Sequence, residues 1–311
     1  MNKATKIFLF GFLTFMIIGS GVLLGMIPPL VMGDMIHSHV DFSTMHDSED
    51  YGLYAEQLVL TTADDLRITA FEVPVSHPKA ILVFLSGIHN PSVTAFFGHA
   101  RFFAEQGYAS LLLEMRAHGN SEGDLIALGH QEHLDVQAAV KYIRSQREYA
   151  DVPIVLYGVS MGGAAAINAA GLYREIDGVI SLSAYSSWED MFIDQMILSG
   201  APYFLALLEK PFLRLYSMYT FGFQNRHIYP KQQIKNLNGR PALLMHSTHD
   251  SQVPYSHVLR IMEAAPDHVE MWERDGDYHM ICLDYENPEQ DEEYIQQVLS
   301  FLKKHFNDRS L

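Results

Sequence analysis

Hydrophobic positions fall into three regimes along the chain. From Ile7 to Ile27 they run without a charged residue, and as a helix that stretch would extend about 31 Å, enough to cross a hydrocarbon core. From Val31 to Tyr51 polar and acidic residues dominate without periodicity, which reads as a linker. Beyond Glu56 the apolar residues come in short runs. Glu56–Thr62 and Leu66–Val73, divided by Ala63-Asp64-Asp65, predict an antiparallel hairpin at a sheet edge. Ala80–Leu85, Ala109–Leu113, Ile154–Tyr157, Val179–Leu182, Ala242–Met245 and Val269–Trp272 are short apolar runs, as parallel strands covered on both faces would be. Helical stretches at Ala95–Gln106, His130–Arg147, Met161–Tyr173, Tyr255–Ala264 and Gln290–Phe306 separate most of them. This alternation predicts an α/β domain built on a mostly parallel, doubly wound sheet.

One segment breaks the rhythm. Tyr185 to Asn238 is too long for an ordinary connection and is rich in Phe, Tyr, Leu and Met, so it is expected to form a helical lid. Its stretches Met191–Leu198 and Tyr203–Leu208 either line an apolar acyl pocket or pack down as core. The expected organisation is a transmembrane anchor over 1–30, a linker over 31–55, and a domain over 56–311 with its lid at about 185–238.

Charge sharpens the picture. The 311 residues carry 21 Lys plus Arg against 37 Asp plus Glu, a formal net charge of −16, which repels phosphate backbones and anionic lipid headgroups and argues against nucleic acid as a partner. Lys3 and Lys6 precede the apolar stretch, and no further Lys or Arg occurs until Arg67. The positive-inside rule then puts the N-terminus in the cytoplasm and the domain outside, on a single-pass protein of the cell membrane. A cleaved signal peptide is the alternative, but its apolar region runs to about 7–15 residues, and here Pro28-Pro29 follows without an Ala-x-Ala site. Cys282 is the only cysteine, so there is no intramolecular disulfide and no thiolate metal cluster. His37, His39 and His46 lie among aspartates in the linker; lacking paired helical spacing they read as a solvated tether rather than a metal site.

The candidate chemistry begins at Gly158-Val159-Ser160-Met161-Gly162, where an apolar run breaks sharply into an alanine-rich helix. A strand, a tight turn and a helix with glycine two residues either side of a serine form a nucleophile elbow, which makes Ser160 the candidate nucleophile. A serine hydroxyl needs a base, and the base needs a carboxylate to orient it. Asp250 follows the run Ala242–Met245 and His279 follows the last one, Val269–Trp272; parallel strands present the loops at their carboxyl ends on one rim with Ser160. His249 is the rival histidine, and Glu189 and Asp190 are rival acids. Two backbone donors must stabilise the oxyanion. The N–H of Met161 is one, and the loop Ser86-Gly87-Ile88-His89-Asn90 supplies the other, Ile88 being the better candidate and His89 its neighbour.

With these residues in place the chain resembles the α/β-hydrolase superfamily, in particular its monoacylglycerol-lipase and serine-aminopeptidase-like branch with a helical lid. The resemblance runs from about Glu56 to Phe306 and includes Glu114-Met115-Arg116-Ala117-His118-Gly119-Asn120-Ser121, which is similar to that branch's Asp-x-Arg-Gly-His-Gly-x-Ser. It departs at Glu114 and Ala117, and at Ser86-Gly87 where the family has His-Gly. The resemblance implies that Arg116, His118 and Ser121 brace loops. The resulting expectation is a membrane-anchored serine hydrolase that cleaves carboxylic esters with an acyl or lipid-like portion, using Ser160, His279 and Asp250 and no metal or organic cofactor. A peptidase acting on short peptides, marked by an acidic pocket for a substrate amino group, and a catalytically silent surface binding module are the alternatives.

Overall fold

A computed structural model describes residues 3–89 and 91–307. Asn90 of the expected oxyanion loop, and the first two and last four residues of the expected domain limits, lie outside the described residues. The strands are β1 (Glu56–Thr61), β2 (Arg67–Val73), β3 (Ile81–Leu85), β4 (Ala109–Leu113), β5 (Ile154–Val159), β6 (Gly178–Leu182), β7 (Ala242–Ser247) and β8 (Val269–Arg274). The helices are α1 (Lys3–Ile36), α2 (Phe97–Glu105), α3 (His133–Ser145), α4 (Met161–Leu172), α5 (Trp188–Leu198), α6 (Tyr203–Phe221), α7 (Pro230–Gln233), α8 (Ser256–Met262) and α9 (Glu292–Phe306), with short 3-10 turns between some of them.

All eight strands join one sheet in the order β1-β2-β4-β3-β5-β6-β7-β8. β1 pairs antiparallel with β2, and β2 antiparallel with β4. From β3 to β8 every pairing is parallel. The runs are predominantly apolar because both faces of the central strands are covered: Ile81, Val83 and Leu85 of β3 join one core layer, whereas Leu82 and Phe84 join the other. After β3 the chain goes to one side to build β4 and then returns to the other side for β5. The loops following β3 and β5 therefore diverge at a topological switch point, where an open α/β sheet leaves a crevice.

Helix α1 runs further than the sequence pattern predicts, through Pro28 and Pro29 to Ile36. Each proline lacks an N–H, which costs the helix a hydrogen bond. Tertiary packing compensates: Pro28, Met32 and Ile36, spaced four apart on one helical face, are buried, and Met32 and Ile36 join the domain core. The Ile126 N–H donates to the Ile36 carbonyl at 2.8 Å, and Trp188 Nε1 donates to Met32 Sδ at 3.3 Å.

Residues 37–47, read from the sequence as a tether, lie along the domain surface. The Val40 N–H donates to the Ala117 carbonyl at 2.8 Å, the Gly119 N–H to the Val40 carbonyl at 2.9 Å, and the His46 N–H to Thr94 Oγ1 at 3.0 Å. The His39 ring sits between the carbonyls of Gly119 (2.9 Å) and Gly123 (3.1 Å). Their hydrogen bonds, that of Gly123 first, raise its pKa above the ordinary 6.5 against a small opposing burial. Since the folded pKa is the higher one, this grip is complete below about pH 6.5 and is lost as pH rises through the raised value. Hydrogen-exchange protection factors at Val40 and Gly119 are expected to fall across that window in the wild type and to stay flat in His39→Ala; a flat wild-type profile would refute the linkage.

Candidate active site

At the end of β5 the backbone turns through Ser160 with φ 56° and ψ −117°, a strained conformation for a residue with a side chain. The turn fits only because its neighbours lack a Cβ. A methyl on Gly158 would run into the Gly162 carbonyl, and one on Gly162 into the carbonyls of Leu85 and Ser86. The Ser160 N–H donates to the Leu182 carbonyl at 2.8 Å, and the Ala164 N–H donates to the Ser160 carbonyl at 3.0 Å, so the serine is pinned from both sides. Met161 is the first residue of α4, and an N–H in that position has no acceptor within its own helix.

Two strands away, the loops after β7 and β8 bring Asp250 and His279 together. His279 Nδ1 lies 2.9 Å from Asp250 Oδ2 and 3.1 Å from Oδ1. A carboxylate can only accept, so the ring proton belongs on Nδ1 and the Nε2 lone pair of the neutral ring is free. The N–H groups of Gln252 and Val253 both donate to Asp250 Oδ1 at 2.9 Å. Burial pushes the Asp250 carboxyl pKa up, but the hydrogen bond and charge of His279 and the Val253 N–H outweigh it and leave it lowered. The His279 loop is held in turn from below: Arg274 Nη1 donates to the Ile281 carbonyl at 2.6 Å and to Asp291 Oδ2 at 2.6 Å.

Ser160, Met161, Ile88 and His279 line one cavity of about 160 Å³. Its remaining walls are mostly apolar: Met35 from the end of α1, Leu128, Tyr185, Trp188, Met191 and Val253, with Gln252 as the remaining polar lining residue. The loop after β3 is in close contact with the elbow, since a Cβ on Gly87 would lie 3.7 Å from Ser160 Cβ. His118 fixes that loop. Its ring nitrogens reach the Ile88 carbonyl at 2.6 Å and the Arg116 carbonyl at 2.7 Å, while Arg116 Nη2 donates to buried Asp135 at 2.8 Å and Nη1 to Asp64 at 2.8 Å. Ser121 Oγ donates to the Glu114 carbonyl at 2.5 Å and accepts the Thr69 N–H at 2.9 Å. The segment 114–121 is thus a brace connecting the sheet to the Ile88 loop. Where the sequence departs from the family pattern, the Glu114 carboxylate accepts the Asn120 N–H at 2.9 Å.

The rival residues are placed elsewhere. His249 has 73% of its side chain exposed and faces Asp275. Asp190 accepts from Lys210 and Lys231 and from Ser186 Oγ. Glu189 lines a different cavity, beside Lys210 and Arg214. Sequence reasoning did not single out Met35, because two prolines and an acidic stretch hide the end of a helix, nor the contact of His118 with the Ile88 carbonyl.

A parallel sheet in this order, with a strained serine at the crevice and an acid–imidazole pair on the same rim, defines an α/β hydrolase. Residues 76–235, just over half of the chain, match the family described as serine aminopeptidase, S33, and the chain belongs to that family. Among characterised folds it is similar to an esterase of Pyrococcus furiosus, with a TM-score of 0.70 and 21% identity over 87% of this chain and 98% of that one. It also resembles an acylaminoacyl peptidase of Pyrococcus horikoshii, with a TM-score of 0.62 and 15% identity over 83% of this chain but 42% of that one. In sequence it is 24% identical to an uncharacterised membrane protein of Saccharomyces cerevisiae over 74% of this chain and 72% of that protein.

Proposed function

We propose that this protein is a membrane-anchored serine esterase whose substrate presents a small apolar acyl group. Ser160 Oγ attacks the ester carbonyl while His279 Nε2 takes its proton, and Asp250 holds the imidazolium that forms. The N–H groups of Met161 and Ile88 receive the developing oxyanion. His279 then protonates the departing alcohol, and a water activated by the same nitrogen releases the acid from the acyl-serine. The observation that carries this reading is the Asp250–His279 pair at 2.9 Å on the rim of the cavity that Ser160 also lines.

Cavity size and lining argue for the substrate. About 160 Å³ is below the roughly 300–1,000 Å³ of drug-sized pockets, and the walls suit a short apolar chain. The family description and the acylaminoacyl peptidase likeness favour amide cleavage as a second reading. Against it, the described lining residues include no carboxylate to meet a substrate ammonium group. The region corresponding to the lid, α5 and α6, contributes Trp188 and Met191 to the cavity.

The apolar length of α1 supports a single membrane span, with Lys3 and Lys6 on the cytoplasmic side and the domain beyond the opposite face. The yeast relative's description as a membrane protein agrees with such an anchor. The test is a panel of p-nitrophenyl esters of increasing chain length beside aminoacyl p-nitroanilides, together with a fluorophosphonate probe. Short-chain esters are expected to be cleaved at least about tenfold faster than the anilides, a difference of about 1.4 kcal/mol in barrier, and the probe to label the wild type and not Ser160→Ala. Preferred anilide cleavage would turn the reading to the peptidase; absence of both labelling and turnover would leave a binding module.

A further inference from the structure

The outward face of α6 lacks the charges that a solvated helix carries. Its inward positions Ala206, Glu209, Leu213, Ser217 and Phe221 are buried. Opposite them, at helical spacing, stand Phe204, Leu208, Leu215 and Tyr219, exposed by 68%, 51%, 62% and 89%, with Pro211 between them. An apolar stripe of this length on the outward face of a helix needs an apolar neighbour. Of the cations on its flank, Lys210 is paired with Asp190 at 2.7 Å, which leaves Arg214, on a chain whose net charge is −16.

Helix α1 indicates what covers this face. Lys6 is its last charged residue before Asp34, and a hydrocarbon core of about 30 Å takes about 20 residues. Counted from Ile7, the far boundary of the core falls near Met26. Gly25, at that level, faces α6: a Cβ there would sit 3.5 Å from the Phe212 ring. The exposed apolar side chains of α1 at Leu23, Met26 and Leu30 lie within a turn or so of that crossing. The span of α1 therefore ends at the height of α6, not on a free stretch of chain.

We propose that α6 lies in the membrane interface beside α1, in the leaflet on the side of the domain, with Phe204, Leu208, Leu215 and Tyr219 among acyl chains and Arg214 at the phosphates. Its partner is a phospholipid bilayer. This inference rests on the anchor reading given under Proposed function, but not on the hydrolysis. A cation on the flank of an apolar stripe suits the anionic phosphate layer, and the tyrosine ring suits the boundary between water and hydrocarbon.

The test uses the full chain in phosphatidylcholine–phosphatidylglycerol nanodiscs containing doxyl-labelled phosphatidylcholine. Cys282 is the single native cysteine, so Cys282→Ser gives a background for one NBD label at a time: Leu215→Cys on α6, Phe15→Cys on α1, and Val59→Cys on edge strand β1. The label at 215 is expected to be quenched at least about threefold more than that at 59, because only a chain segment seated among acyl chains meets the lipid-borne quencher. Quenching at 15 but not at 215 overturns the inference while leaving the anchor in place. No quenching at 15 removes the anchor reading itself, and the inference with it. A label at 215 that is shielded from water yet untouched by doxyl lipid indicates a protein cover, such as a second copy of this chain, and also overturns it. None of these readouts depends on ester turnover.

Discussion

Ser160→Ala is expected to lower kcat on a short-chain p-nitrophenyl ester by about 10⁶-fold, the loss seen when a triad nucleophile alone is removed. The fold should survive. Alanine has the same backbone preferences and less bulk, so it keeps the positive φ of Ser160 and the hydrogen bonds of its N–H and carbonyl, and thermal unfolding should shift by no more than about 0.5 kcal/mol. Activity would not vanish entirely, since the N–H groups of Met161 and Ile88, the proposed oxyanion donors, would remain and a triad-less site retains about 10³–10⁴-fold over water. Initial rates on purified protein, with circular dichroism to verify folding, decide the matter. A variant retaining a tenth of wild-type activity would show that another residue attacks the ester.

Asp250→Asn tests a different part of the geometry, and here the expected drop in kcat is about 10⁴-fold with little change in KM. The asparagine carbonyl can keep accepting the Gln252 and Val253 N–H groups that now reach Oδ1, so the loop should hold its shape. Its amide nitrogen would then face His279 Nδ1, where the carboxylate now stands at 2.9 Å. That contact favours the tautomer with the proton on Nε2, the atom that must be bare to accept hydrogen from Ser160. An activity loss of less than tenfold would indicate that His279 needs no orienting carboxylate, or that the base lies elsewhere.

The parts of the molecule that could be read from the sequence are those whose cause is local or periodic. The parallel strands were legible because burial on two faces makes them predominantly apolar, and Ala109–Leu113 has the same limits in sequence pattern and structure. The elbow was legible because Gly158 and Gly162 are dictated by contacts within a few residues and one adjacent strand. Other features depend on long-range packing. Nothing local carries α1 past Pro28 and Pro29; its continuation depends on Met32 and Ile36 finding a core supplied by distant residues. The acidic stretch that follows looks like a tether until His39 and Val40 meet the loop at residues 117–123. Glu114 departs from the family pattern, yet its carboxylate closes the 114–121 turn at Asn120, and the Ile88 loop is held through His118.

One feature of α1 bears on how such an enzyme would find its substrate. Met35 forms part of the wall around Ser160, and the carbonyl of the next residue, Ile36, is locked to Ile126. If α1 spans the membrane as proposed, it is a mast rather than a leash: no slack separates the span from the cavity, which would not swing out to sample the bulk solution. A soluble fragment cut after Ile36 would lack one side of its own chamber, and its substrate preferences would describe a wider vessel than the one the whole chain carries.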